Sequence, residues 1–443
     1  MDPTLFPIGS ESPKTPAPPP GGTPRLERPD RNQYEMMYSD LDGLLPNDHQ
    51  ARMVWNYVEQ ADVSELYAVI RAVEGHPGRA AIDPRVLLAL WLYATLDGVG
   101  SARALEKLCQ DSIPYRWICG GVSINHHTLS DFRSESGTVL DELLTDSVAM
   151  LRAKNLVTLN RVAHDGMRVR ASAGSGSFHR EQTLSRCLEE AQAQVDTLRR
   201  ELEDDPEASE RRQRAARERA ARERQERVAE ALRQYPDVKK KKKREKEEAR
   251  VSLTDPDARK MHMADGGFRP AYNVQLSTDC LSQVIVNVDV IKSGSDSGHL
   301  EPTIKQIQAR HNITPKEILV DGGFVKQAAF ENLAALPQEC VIYAPVPNPR
   351  VPGKPKDHPF KNEAPCVTQW RKRMETEEAK AIYKERAATA ECVNALARNR
   401  GLQQFPVRGL EKVRAVVLLF ALAHNVMRMA SLSDSTLKPC ASG

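Results

Sequence analysis

The sequence predicts a mixed α/β (α+β) chain, in which an all-helical N-terminal domain precedes a mixed sheet with flanking helices, interrupted by a charged helical insertion. Three observations carry this. Residues 34 to 155 set apolar side chains at three- and four-residue spacing, as in Pro84-Arg85-Val86-Leu87-Leu88-Ala89-Leu90-Trp91-Leu92-Tyr93 and Ala104-Leu105-Glu106-Lys107-Leu108, the period of a helix with one buried face. From residue 156 to about 400 the texture changes to short β-branched runs separated by helical stretches. Between about 181 and 250 the chain is dense in charge of both signs, a pattern that stays in solvent.

In chain order, residues 1 to 33 form a proline-rich tail with Pro13, Pro16, Pro18, Pro19 and Pro20 and no apolar leader. Asp83 before Pro84 is a helix start, an N-cap before an N1 proline. Asn125-His126-His127-Thr128-Leu129-Ser130-Asp131-Phe132-Arg133 turns into a helix with polar and basic groups, the shape of a DNA-reading region or of an ordinary helical domain. Leu156-Val157-Thr158-Leu159 and Val162-Ala163 lead into a strand that reaches Asp165 before Gly166. The insertion interleaves the arginines of Arg211 to Arg233 with Glu218, Glu223, Glu226 and Glu230, a solvated helix or hairpin. Its run Lys239 to Arg244 is basic throughout, more often a solvated block than a phosphate contact.

Strands resume at Tyr272 to Leu276 and Gln283 to Ile291, then a helix from about Ser297 to His311. Glu317-Ile318-Leu319-Val320-Asp321-Gly322-Gly323-Phe324 reads as a strand ending on a carboxylate, followed by a helix to about Ala335 and the strand Cys340 to Ala344. Pro345 to about Cys366 is a loop, Arg373 to Arg398 one long helix, and Leu410 to about Leu432 a more apolar one. Residues 401 to 432 thus form a C-terminal helical segment and 433 to 443 a tail.

The chain has 443 residues and a formal charge of +3, so it holds more than one ordinary core, and bulk charge neither announces nor excludes nucleic acid. Its eight cysteines stand singly, which argues for reduced thiols in a cytosol. The apolar run Val416 to Ala423 is too short to cross a bilayer, so no membrane partner is expected.

Asp165 and Asp321 each end an apolar strand before glycine, where open α/β sheets present working groups. The same placement suits a turn aspartate bonding its own backbone. A third carboxylate, Glu391, lies on a helix with Tyr383, Arg386 and Arg398 at −8, −5 and +7. At about 100° per residue, Tyr383, Glu391 and Arg398 point within roughly 80° of one another. Small neighbours around Glu391 indicate packing, and a glutamate so placed needs a partner or a cation; a salt bridge to Arg386 is the plain alternative. Three converging carboxylates repel unless hard cations neutralise them, and magnesium, with manganese as its substitute, takes such oxygen ligands. A pair of these ions serves in-line phosphoryl displacement.

The segments His164-Asp165-Gly166-Met167-Arg168-Val169 and Leu319-Val320-Asp321-Gly322-Gly323-Phe324, with the helix bearing Tyr383, Arg386, Glu391 and Arg398, resemble the three motifs of bacterial insertion-sequence DDE transposases. That family's third motif is a tyrosine, arginine, glutamate and lysine signature, and Arg398 stands where lysine is usual. Tyr272-Asn273-Val274-Gln275, Arg408-Gly409-Leu410, Ala423-His424-Asn425 and the Asn125 to Arg133 segment also resemble parts of the family. The resemblance implies a ribonuclease H-like core over 156 to 400, with catalytic and metal-binding roles for Asp165, Asp321 and Glu391. It gives Tyr383, Arg386 and Arg398 supporting or phosphate-contacting roles. It also implies two magnesium ions, and terminal inverted repeats and target DNA as partners. A homo-oligomer on DNA and a cytoplasmic, nucleoid-associated location complete the expectation. A metal-dependent nuclease needs the same carboxylates, and a catalytically decayed or domesticated copy would bind DNA without cutting it. The histidines His126, His127 and His164 lack ligand spacing and are assigned to packing or solvent.

Overall fold

A computed structural model describes residues 40–72, 80–204, 211–241, 248–334, 340–347 and 364–437. The N-terminal tail, Lys242 to Arg244 of the basic run, most of the Pro345 to Cys366 loop and the last residues lie outside the described residues. The helices of the first part are α1 (Gln50–Gln60), α2 (Ser64–Ala68), α3 (Pro84–Leu96), α4 (Ala102–Asp111), α5 (Ile113–Cys119), α6 (His126–Glu135) and α7 (Gly137–Ala153). Then come the strands β1 (Arg161–Arg170) and β2 (Phe178–His179), the helices α8 (Glu181–Asp204) and α9 (Arg211–Lys241), and the strands β3 (Val251–Ser252), β4 (Arg259–His262), β5 (Phe268–Asp279) and β6 (Ile285–Ile291). The rest alternates: α10 (Leu300–His311), β7 (Glu317–Val320), α11 (Gln327–Ala334), β8 (Val341–Tyr343), α12 (Pro365–Glu375), α13 (Glu377–Arg386), α14 (Cys392–Asn399) and α15 (Leu410–Leu437).

Local chemistry sets several helix starts. The Asp83 carboxylate accepts from the Arg85 backbone N–H at 2.8 Å and opens α3 at Pro84; the Asn125 side chain accepts from Thr128 N–H at 2.9 Å and opens α6. The Tyr67 hydroxyl also donates to Asp83, at 2.6 Å. Asp83→Ala is therefore expected to cost about 1–2 kcal/mol, read as a lower urea midpoint at unchanged slope; an unmoved midpoint would show that the cap carries no stability.

The main sheet is mixed. β5 pairs antiparallel with β1 along one edge and with β4 and β6 along the other; β1 pairs parallel with β7, and β7 parallel with β8. The charged insertion is a helical hairpin in which α8 packs on α9. Arg227–Glu223 at 3.7 Å and Arg233–Glu230 at 2.5 Å lace α9, as its charge spacing predicts.

α15 meets the composition and length of a membrane span, yet it is a core helix here: Val417 to Ala423 are all buried, against α3, α7 and β6. One continuous apolar cluster joins α1 to α7, α15 and residues of β1, β5 and β6. A second cluster packs α10 to α13 on β7 and β8. The helical first part and the sheet thus contribute to one apolar cluster.

Candidate active site

β1 does not end at Asp165. It runs four residues beyond the Gly166 turn expected from sequence, to Arg170, because β5 pairs with it along its whole length, Asp165 facing Leu276 and Gly166 facing Gln275. What ends near Asp165 is the parallel ladder with β7, whose last pair is His164 with Val320. The next residues on the two strands are Asp165 and Asp321, so the register sets them side by side on the same face, where β7 stops. Asp321 then caps the short turn Gly322–Phe324, its carboxylate accepting from Gly322 N–H, the turn role its neighbouring glycine predicts.

The third carboxylate comes from the other layer. The single helix expected over Arg373 to Arg398 is broken at Thr376, which caps α13 through a bond from Ala379 N–H to its hydroxyl at 3.2 Å. It is distorted again by a π-helical turn, Ala387–Glu391, before α14. In a regular α-helix, Arg386 and Glu391 would point about 140° apart. A π turn closes i→i+5 and brings residues five apart together, and Arg386 Nη1 meets Glu391 Oε1 at 2.6 Å. The turn is held from the sheet side: Gln283 Nε2 donates to Ala388 O at 3.2 Å, and Arg161 pairs with Glu317 at 2.6 Å and with Glu385 at 2.5 Å.

Arg386, with a side chain 10% exposed, bridges two of the carboxylates, reaching Asp165 Oδ1 at 3.1 Å as well as Glu391. Burial works against its charge, but Asp165, Tyr383, Asp321 and Glu391 outweigh that and hold the guanidinium pKa above its ordinary value. Burial pushes the Asp165 carboxyl up, opposed by Arg386 and by the Gly166 N–H, and aided by Asp321. Tyr383 is raised as well, first by burial and then by Asp321, Glu391 and Asp165. Asp165, Asp321, Glu391, Tyr383 and Arg386 therefore share one electrostatic site.

Arg398 does not join them. It is exposed and makes no ion pair among the described residues. Its expected place near the carboxylates is taken by Asn394, one turn from Glu391, buried, its Nδ2 donating to Asp165 Oδ2 at 3.0 Å. Sequence reasoning missed Asn394; the i, i+3 spacing from Glu391 was the available signal.

The opposite face of β1 carries a second network that sequence reasoning also missed. Asn273 Nδ2 donates to Asp296 Oδ1 at 2.7 Å and Gln275 Nε2 to the same oxygen at 2.9 Å. With its amide so oriented, Gln275 Oε1 accepts from His164 Nε2 at 2.9 Å, which leaves His164 Nδ1 to accept from the Ser277 hydroxyl at 2.9 Å. His164 is fully buried and packs on Phe324 at 5.0 Å between ring centroids, the packing role assigned from sequence. Gly166 is the close-approach point, since an added Cβ would lie 2.5 Å from Gln275 Nε2 and 2.9 Å from Asn273 Oδ1.

Burial pushes the imidazoles of His164, His311 and His424 down to about 4 from an ordinary 6.5. Between those values the unfolded chain binds protons that the folded chain does not, so stability falls as pH drops through 6.5 and levels off near 4. Each contributes at most about 3 kcal/mol; Asp165 and Asp255, raised by burial, act in the opposite sense at the acid end. Urea midpoints measured from pH 7 down to about pH 4.5 are expected to fall, and a flat profile would mean that these imidazoles titrate freely.

A hard cation suits an all-oxygen donor set such as these carboxylates, and the buried Asn394 Oδ1 beside Asp165 lacks a donor. The oxygens fit a divalent ion in kind. As they stand, no three His, Cys, Asp or Glu side chains among the described residues are grouped to hold a metal; the positive charge between Asp165 and Glu391 is that of Arg386.

Two family models match the chain. Residues 39–135, the helical first part, match a model described as "Transposase domain (DUF772)". Residues 350–430, which include Tyr383, Arg386, Glu391, Asn394 and Arg398, match one described as "Transposase DDE domain". No curated protein and no solved structure matches.

Proposed function

Since the chain belongs to the insertion-sequence DDE transposases, we propose that it binds the terminal inverted repeats of a mobile element and cuts and rejoins DNA through Asp165, Asp321 and Glu391. The observation that carries this reading is the site around Arg386, which pairs with the strand-borne Asp165 and the helix-borne Glu391, 226 residues apart in sequence, and feels the charge of Asp321 at the end of β7. The sheet is compatible with a ribonuclease H-like core: Asp165 is on β1 and Asp321 follows β7, with β1, β5 and β6 successively antiparallel and β7 parallel to β1.

Asp165, Asp321 and Glu391 would hold magnesium, or manganese, which when bound as a pair activates an attacking oxygen and stabilises the leaving oxygen. The protein's own groups do the positioning. Asp165 sits on a ten-residue strand paired with β5 along its length and with β7 up to His164, and Arg386 and Asn394 hold its carboxylate. Glu391, 56% exposed, stands at the open side, where a phosphodiester arrives. Arg386 neutralises the carboxylates without DNA and offers a planar donor fork to a phosphate oxygen when DNA enters. In the first reaction water adds to phosphorus and the P–O3′ bond breaks, freeing a 3′-hydroxyl at the element end. In the second, that hydroxyl adds to a target phosphodiester and expels its 3′ oxygen.

The test is single-turnover cleavage of a duplex carrying the repeats that flank the gene, with magnesium. Nicking at the repeat boundary and joining of the freed 3′ end to a second duplex are expected. Nicking without joining would make the protein a nuclease, and specific binding without nicking a DNA-binding protein that has lost its chemistry.

A further inference from the structure

A cavity of about 260 Å³ lies away from the carboxylates, between the end of α3, the start of α4, Arg133 of α6 and the segment joining α14 to α15. Its walls include Trp91, Phe420 and two arginines, Arg133 and Arg400. Arg133, in the helix expected to carry polar and basic groups, is 5% exposed, its guanidinium stacked on Trp91 at 4.3 Å and donating from Nη1 to Gly100 O at 2.5 Å. Its Nε has no acceptor, and neither does the buried Nη1 of Arg400. Among the described residues no carboxylate pairs with either one. Burial alone moves both, pushing Arg133 down to about 10 and Arg400 below its ordinary value.

A buried and a half-buried guanidinium lining one cavity without a counter-charge are costly unless an anion completes them. One further feature favours an anion. Ser101, the N-cap of the ten-residue α4, lines the cavity and brings the positive end of that helix dipole to it.

We propose that this cavity is a phosphate-binding site, in which Arg133 and Arg400 grip one phosphate group from two sides with the α4 N-terminus beneath it. Guanidinium forks match phosphate oxygens in pairs, and a phosphate carries enough charge to offset both arginines. The phosphate comes either from the DNA backbone, which rests on the function proposed above, or from free phosphate. The site uses none of the carboxylates, so its test does not read cleavage.

The experiment uses the full chain. Inorganic phosphate is titrated calorimetrically and by thermal unfolding, with acetate at equal ionic strength as control, into the wild type, Arg400→Met and Arg400→Lys. Met keeps the apolar stem and removes a half-buried charge, so folding should persist; Lys keeps the charge without the fork. Phosphate, and not acetate, is expected to raise the wild-type melting temperature, with binding weakened at least tenfold in Arg400→Met and less in Arg400→Lys. Duplex binding is then followed against salt. A slope of log affinity on log salt that is shallower by about one in Arg400→Met assigns the site to a DNA phosphate; an unchanged slope with lost phosphate uptake assigns it to free phosphate. Phosphate binding equal in all three proteins, or absent from all of them with an unchanged salt slope, would overturn the proposal. Should Arg400→Met fail to fold, Arg400→Lys carries the same comparison.

Discussion

Glu391→Gln is expected to lower magnesium-dependent cleavage and strand transfer by on the order of 10³-fold, about 4 kcal/mol of transition-state stabilisation, while binding to the same duplex persists. Glutamine keeps the size and helix propensity of glutamate and can still accept from Arg386, so the π turn has no reason to open. What is lost is one negative charge and one strong oxygen ligand. Arg386 remains anchored by Asp165 at 3.1 Å, and the Glu391 side chain is 56% exposed, so little core is disturbed. DNA affinity rests chiefly on basic groups meeting phosphate, which the substitution leaves in place. A gel-shift assay run beside a cleavage and strand-transfer assay on one terminal-repeat duplex separates the two effects. Near-normal cleavage would take Glu391 out of the active site and remove the main mechanistic claim.

Gly166→Ala is expected to cost about 2–3 kcal/mol of stability and to slow cleavage at least about tenfold. The backbone of Gly166 lies close under Gln275, Asn273 and Asp296, and an added methyl would approach Gln275 Nε2 to 2.5 Å. None of these groups is a loose chain end. Gln275 is 2% exposed and tied to both His164 and Asp296, while Asn273 is fully buried. Relief therefore has to come from β1 itself, and its neighbouring residue is Asp165. The glycine has no positive φ, so the effect is one of space and not of backbone strain. A lowered urea midpoint with a lowered cleavage rate is the expected pair of results; an alanine variant unchanged in both would show that the network beneath the strand yields freely.

Much of the fold was legible because it rests on rules that act within a few residues. Asp83 and Asn125 start helices through their own side chains, and the β-branched runs around Ile285 and Ile318 form strands. The charge spacing of the insertion yields a solvated helical hairpin. Errors arose where distant segments decide. Asp165 was placed at a strand end since Asp-Gly reads as a turn, but pairing with β5, more than a hundred residues away, carries the strand through it. Arg133 is one of the basic groups of a segment open to a DNA-reading role, and packing on Trp91 buries it. Arg398, expected near Tyr383 and Glu391 by helix angle and by its place in the motif, is exposed and pairs with no carboxylate among the described residues.

The sequence by itself determined the chemical kinds present: which carboxylates follow apolar runs, that an arginine and a tyrosine precede Glu391 on one helix, and where helices begin. These are matters of residue type and near-neighbour hydrogen bonding. Tertiary structure alone decided the register that sets Asp165 beside Asp321 and the π turn that swings Arg386 to Glu391. It also decided the burial that leaves Arg133 and Arg400 without counter-charges around one cavity. Each of these depends on which distant surface a segment packs against, and that choice is made by the core as a whole, not by the few residues that carry the chemistry.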